Sequence, residues 1–276
     1  KQGFEVTYLP VDKSGVINIV DLEQAIKRNT VFVSIMWVNN IVGTIMPIKE
    51  IIEVVKKHPR IKLHVDCVQG LGKIKNDFNF NDIDLITISG HKIEGLKGCG
   101  ILGFKENINL SNHLVGSSQQ LGINPGTIDL ANAVCAAKAI RLSLESKDNS
   151  FQKVLKLNNY LREQLSLVDG IYINSPSKNV SPYILNISIP KYNAETIMHY
   201  LEQKEITIYS ISYTKLKDSN NTLKSNIDHE GPVIKLNGEE KITIDVGNEF
   251  KDAGVKSVKG NTHDYATDGY HQVAIK

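Results

Sequence analysis

The sequence predicts an α/β fold with a mostly parallel sheet. Three short runs, Thr30–Trp37, Ile61–Val65 and Leu85–Ile88, read as strands, and the first is rich in β-branched residues, as in a buried strand. Helical patterns alternate with strand patterns along the chain. Each of the three runs also leads directly into a polar cluster, and ligands of open α/β sheets gather at the carboxyl ends of the strands.

The elements follow in order. Phe4–Leu9 alternates like a strand, and Val16–Ile19 is a short extended piece. Asp21 is placed to cap a helix running through Arg28. Pro47 suits a helix N1 position, with Ile48, Ile51, Ile52 and Val55 on one face. After the strands at 61–65 and 85–88 comes Cys99–Phe104. Ile128–Leu144 and Phe151–Leu165 read as two helices. Ile171–Ile173 and Tyr183–Ile189 read as strands, Ala194–Gln203 as a helix and Ile206–Ile211 as a last strand. From Ser212 the character shifts: residues 213–230 are a polar linker, and 231–276 show only β patterns broken by Asn-Gly and Val-Gly.

Composition narrows the classes. Hydrophobic residues at 41% and charged residues at 22% are globular values. A net charge of +2 without a dense basic block gives no reason to invoke nucleic acid. No apolar run approaches the ~18–20 residues of a membrane span. Cys67, Cys99 and Cys135 have neither disulfide-framework nor zinc spacing, so they read as small buried hydrophobes in a reducing, cytoplasmic setting. No metal site is expected. The chain opens on KQGFEVTYL, already a strand, and reads as one whose beginning is missing.

The polar clusters are Asn39-Asn40 with Gly43, then His64 to Gln69 (HVDCVQ), then Ser89 to Lys92 (SGHK). These types suit an aldehyde cofactor: a lysine forms a Schiff base, a carboxylate keeps the pyridine nitrogen protonated, and hydroxyl and imidazole donors hold a phosphate. Blander readings stand beside this one. Lys92 could be a surface charge, Asp66 a cap, His91 a core histidine, Asn40 a turn former and Thr127 a helix cap.

Together, Asn40-x-x-Gly43, HVDxxQ, SGHK, Gly95-x-Lys97-Gly98-x-Gly100 and GSSQQLGINPGT at 116–127 resemble the cysteine desulfurase branch of the class V aminotransferases. The resemblance runs in order from Lys1 to about Ile211. It implies a fold-type-I transferase dependent on pyridoxal 5'-phosphate, with a large cofactor domain over 1–150 and a partial small domain over 151–212. It further implies that Lys92 holds the cofactor, Asp66 pairs with the ring nitrogen and Val68 packs on the ring. Asn40 and Gln69 would serve the phenolic oxygen and substrate, Ser89 and His91 the phosphate, and Thr127 the phosphate of the neighbouring subunit of a homodimer. The substrate would be L-cysteine or a similar amino acid, its sulfur passing as persulfide to a cysteine and then to an acceptor protein, as in iron–sulfur cluster assembly.

Departures accompany the match. The family's phosphate-binding turn and ring-stacking histidine would lie upstream of Lys1. Ile41 and Asn124 stand where the family has Glu and Arg, and Arg162 is the last arginine, so the substrate-clamping arginine has no counterpart. No cysteine follows Cys135, so the sulfur-accepting loop is absent and the chain by itself is expected to be inactive as a desulfurase. Residues 231–255 resemble the opening of the immunoglobulin-like modules of bacterial surface proteins, incomplete here. Two rivals therefore remain: a catalytically dead relic of the fold, or a surface or adhesion protein working through its C-terminal module.

Overall fold

The computed structural model describes residues 3–111, 114–190, 192 and 194–208, together with the backbone of strands at 233–236, 255–259 and 272–275. It divides into two compact units. The first comprises Lys1–Asp169, Ile173–Ile187 and Tyr270–Lys276, and the second Gly170–Tyr172 and Ser188–Gly269.

The first unit opens with β1 (Val6–Leu9), α1 (Ile19–Ala25), β2 (Phe32–Met36), α2 (Ile48–Lys56) and β3 (Lys62–Asp66). It continues through β4 (Leu85–Ser89), β5 (Gly100–Phe104) and α3 (Leu130–Ser166). Short strands β6 (Tyr172–Ile173) and β7 (Ile187–Ser188) follow, then α4 (Ala194–Glu202), β8 (Val233–Leu236), β9 (Val255–Lys259) and β10 (Gln272–Ile275). The main sheet has the order β1-β10-β2-β3-β4-β5. β2, β3 and β4 are mutually parallel. β10 is antiparallel to both of its neighbours, which leaves β1 pointing with β2, and β5 is antiparallel to β4. Four of the six strands therefore share a direction, the mixed but mostly parallel sheet of the α/β class. In the second unit β8 and β9 form an antiparallel pair.

Alternation within the parallel strands decides what faces the core. In β2, Val33 and Ile35 are buried, and in β3, Leu63 and Val65, while Ser34, His64 and Asp66 on the opposite pleat are half-buried. Helix α2 buries Ile48, Ile51, Ile52, Val54 and Val55 in the same cluster. Trp37, just past β2, meets Phe78 edge-on at 4.9 Å between centroids. Gly70 lies so close that a Cβ there would stand 2.3 Å from the Trp37 ring, so only glycine lets the turn after β3 seat on the indole.

Several expected boundaries move for local reasons. Asn18, not Asp21, caps α1: its Oδ1 accepts from the Val20 amide at 2.8 Å, and the helix stops at Ala25. The two helices expected at 128–144 and 151–165 are one helix of 37 residues, α3. The polar run between them contains no Gly or Pro to break the backbone ladder. Asp129 rather than Thr127 caps it, with Oδ1 accepting from the Asn132 amide at 3.1 Å. Residues 206–208 are not strand, and the rest of the strand expected at 206–211 lies outside the described residues. So do the linker at 213–230 and, beyond the backbone of β8, β9 and β10, the immunoglobulin-like segment. No helix among the described residues is long and apolar enough to cross a membrane.

On the half-buried face, His64 links the three parallel strands. Its Nδ1 lies 2.8 Å from Ser34 Oγ on β2, and its Nε2 lies 3.1 Å from Thr87 Oγ1 on β4. Burial holds the imidazole below its ordinary value of 6.5, opposed in part by the charge of Asp66. The sign follows from proton counting: below about 6.5 the unfolded chain binds a proton that the folded chain resists, so stability falls as pH drops through that region. Urea unfolding from about pH 7.5 downward should show this decline, and His64→Gln should flatten part of it. The same pH dependence in both proteins would contradict a neutral His64 in the folded sheet.

Candidate active site

The site is assembled by strand register. Met36 on β2 is in register with Asp66 on β3, and Asp66 with Thr87 on β4. The ladder continues one step further, with the Trp37 amide donating to the Asp66 carbonyl and the Cys67 amide to the Thr87 carbonyl, both at 2.9 Å. The polar residues that follow β2, β3 and β4 therefore emerge along one edge of the sheet, at the carboxyl ends of parallel strands.

After β2, the turn is built by Asn39. Its side chain is fully buried, and its Oδ1 accepts from the amides of Ile41 and Val42 at 2.8 and 2.9 Å. Gly43 closes the turn at φ +81°, where a Cβ would press on Val180 and Ile184. Asn40 is exposed beside it. The first asparagine of the pair thus shapes the loop and the second presents a free-standing amide to solvent. Sequence reasoning singled out Asn40 and missed the structural task of Asn39.

At the end of β3, Asp66 folds back on its own backbone: Oδ1 accepts from the Val68 amide at 2.9 Å. Its other oxygen has no donor among the described residues. Val68 and Gln69 are half-buried on the turn that follows. Gln69 Oε1 accepts from Lys73 Nζ at 2.8 Å, a pairing that sequence reasoning also missed. Cys67 is fully buried, and burial first, then the neighbouring Asp66 charge, push its thiol up to about 12. It is a packing residue, held far from the thiolate form that reacts.

At the end of β4, Ser89 Oγ lies 2.8 Å from His91 Nδ1, which leaves Nε2 of the imidazole outermost. A short 3-10 turn, Gly90–Ile93, carries Lys92 outward while Ile93 anchors it in the core. The turn packs on α3: a Cβ at Gly95 would touch the Ala139 methyl at 3.3 Å and the Gly90 carbonyl at 2.8 Å. Lys92 itself is exposed and has no hydrogen bond or ion pair among the described residues. Its charge is nevertheless felt by Lys73, whose ammonium is lowered to about 8 by burial first and Lys92 second.

Asp66, Val68, Gln69, Ser89, His91, Lys92 and Asn40 thus share one sheet edge. Thr127 is apart from them: it is exposed in the segment before α3, with no described contact to the other seven site positions. Among the described residues no cluster of His, Cys, Asp or Glu has the arrangement of a metal site. The donor set that is present, an uncommitted carboxylate oxygen, an uncommitted amine and a hydroxyl–imidazole pair, fits the pyridine nitrogen, aldehyde and phosphate of pyridoxal phosphate.

Comparison with known proteins gives the family. Residues 1–212 match the family model described as Aminotransferase class-V. The chain is 37% identical over 255 residues to a "NifS/IcsS protein homolog" of Lactobacillus delbrueckii subsp. bulgaricus, covering 90% of this chain and 66% of that protein. It is 34% identical over 209 residues to "Cysteine desulfurase IscS" of Dictyoglomus turgidum, covering 75% of this chain and 53% of that protein. A solved "NIFS-LIKE PROTEIN" superposes with a TM-score of 0.71 at 32% identity, covering 75% of this chain and 56% of that one. The chain therefore spans between about half and two thirds of the length of these relatives. On the family match, the strand-end site and the sheet that carries it, the chain belongs to the class-V aminotransferases.

Proposed function

We propose that this chain carries the cofactor site of a pyridoxal-phosphate-dependent cysteine desulfurase, acting on L-cysteine as one half of a homodimer in the cytoplasm. The observation that supports this most is the juxtaposition of Asp66 and Lys92. They follow neighbouring parallel strands, each with a reactive atom that no described protein group occupies. When bound, the cofactor would supply an electron sink that stabilises negative charge on the substrate carbon.

The chain's own residues would do the rest. Lys92 Nζ would hold the cofactor and then act as the base at the substrate Cα. Asp66 Oδ2 would keep a proton on the pyridine nitrogen, because a carboxylate beside a protonated ring nitrogen favours the charged form. Ser89 Oγ and His91 Nε2 would donate to the phosphate, with Thr127 of the neighbouring subunit joining them. Val68 would pack on the ring face, and Asn40 and Gln69 would donate to the phenolic oxygen and the substrate.

Sulfur transfer needs a thiolate that attacks the substrate sulfur, leaves alanine and keeps the sulfur as persulfide. Cys67 cannot supply one, since its thiol is pushed up to about 12; Cys99 is half-buried and Cys135 exposed, against the expectation that all three are buried, and neither lies among the strand-end residues of the site. We assign the acceptor role to none of Cys67, Cys99 and Cys135. With an added thiol acceptor the loaded protein should release alanine; without one, no persulfide should form on this chain. Persulfide found on Cys67, Cys99 or Cys135 by mass mapping would overturn that assignment.

The cofactor reading is tested by titrating the protein with pyridoxal phosphate. A visible absorption band should grow to saturation and should be lost in Lys92→Ala. Asp66→Asn should retain the band and the melting temperature while slowing any substrate-driven spectral change by at least about tenfold, the scale of one pKa unit of lost stabilisation. A folded protein that gives no band at saturation would defeat the reading.

A further inference from the structure

Lys73 lies on the turn that follows β3, four residues after Gln69, and the resemblance assigns it nothing. Its backbone belongs to a helical turn: the Leu71 amide donates to the Cys67 carbonyl at 2.9 Å and the Ile74 amide to Gly70 at 3.1 Å. That spacing sets the side chains at positions 69 and 73 one above the other. Lys73 Nζ donates to Gln69 Oε1 at 2.8 Å, in a half-buried setting.

The chemistry of the pair fixes more than a distance. An ammonium has three donors and no acceptor, whereas a carboxamide has a carbonyl on one side and an NH2 on the other. Only one of the two amide orientations can therefore bond to Lys73, the one with the carbonyl toward it. The NH2 is then turned away, and it has no acceptor among the described residues. Resting on the cofactor reading above, we propose that Lys73 is a positioning residue: it locks the Gln69 amide so that Nε2 is presented as a donor to an oxygen of the group held by Asp66 and Lys92. Gln69 and Lys92 follow neighbouring parallel strands, and the Lys92 charge is felt at Lys73.

The experiment has two arms. In the protein without cofactor, the Gln69 side-chain NH2 signals are assigned in an 1H–15N NMR spectrum by their loss in Gln69→Leu. Lys73→Met should move them and Lys73→Arg, which keeps a donor, should bring them back toward the wild-type position. If Lys73→Met does not fold, Lys73→Leu, which also lacks a donor, reads the same signals. In the loaded protein, Lys73→Met should weaken pyridoxal phosphate binding about tenfold, the size expected for one hydrogen bond involving a charged group, and shift the visible band. The same change made in Gln69→Leu should add nothing, because the effect runs through Gln69.

Gln69 signals that stay in place in Lys73→Met would overturn the proposal, as would effects of the two substitutions on affinity that simply add. If the wild-type protein takes no cofactor, the reading of the site falls separately, and the cofactor-free arm still decides whether Lys73 orients Gln69.

Discussion

The parallel register of β2, β3 and β4 is the constraint from which the site follows. Successive side chains on a strand point to opposite faces, so a slip of one residue would exchange the two sets completely. In the observed register Val33, Ile35, Leu63 and Val65 enter the core, which leaves Ser34, His64 and Asp66 together on the other pleat. The hydrophobic term that holds this arrangement is large, about 1.5–3 kcal/mol for each fully buried Val, Leu or Ile side chain. The placement of Asp66 is therefore a by-product of core burial next door. The Ser34–His64–Thr87 chain adds polar cross-links on the same face and ties the three strands at the level just before the site.

Beyond the strand ends the chain works differently. Each of the three clusters holds a local bond: Asn39 accepts from the Ile41 and Val42 amides, Asp66 from the Val68 amide, and the Ser89 hydroxyl pairs with the His91 ring. These local bonds pin turns that would otherwise be free to wander. The turns after β3 and β4 then offer groups that no described residue uses, namely the second Asp66 oxygen, the Gln69 amide nitrogen, the second His91 nitrogen and the Lys92 amine. A hydrogen-bonding group left open at a strand end, on a turn held by its own local bonds, is how a preorganised binding site is built.

Much of this was legible in the sequence, and for physical reasons. Short apolar and β-branched runs between turn signals favour buried strands, so β2, β3 and β4 were placed within a residue or two, and the polar residues after them marked the candidate site. Asn18 and Asn39 were less legible because neighbouring positions offered equally good caps and turns. The unbroken α3 was hidden by a polar stretch, Glu145 to Ser150, that reads as a loop although nothing in it stops a helix. The Lys73–Gln69 pair could have been found from its spacing of four, but only once the turn after β3 was known to be helical. The pairing of β10 between β1 and β2 joins segments far apart in the chain, and no local pattern encodes that.

The central claim is that Lys92 is the residue that bonds to the cofactor. Loading the protein with pyridoxal phosphate, reducing it with borohydride and mapping the peptides by mass spectrometry reads that bond directly. A single phosphopyridoxyl group on the peptide bearing Lys92 is the predicted result. The group on Lys73, spread over surface lysines, or absent from a folded protein would contradict the account.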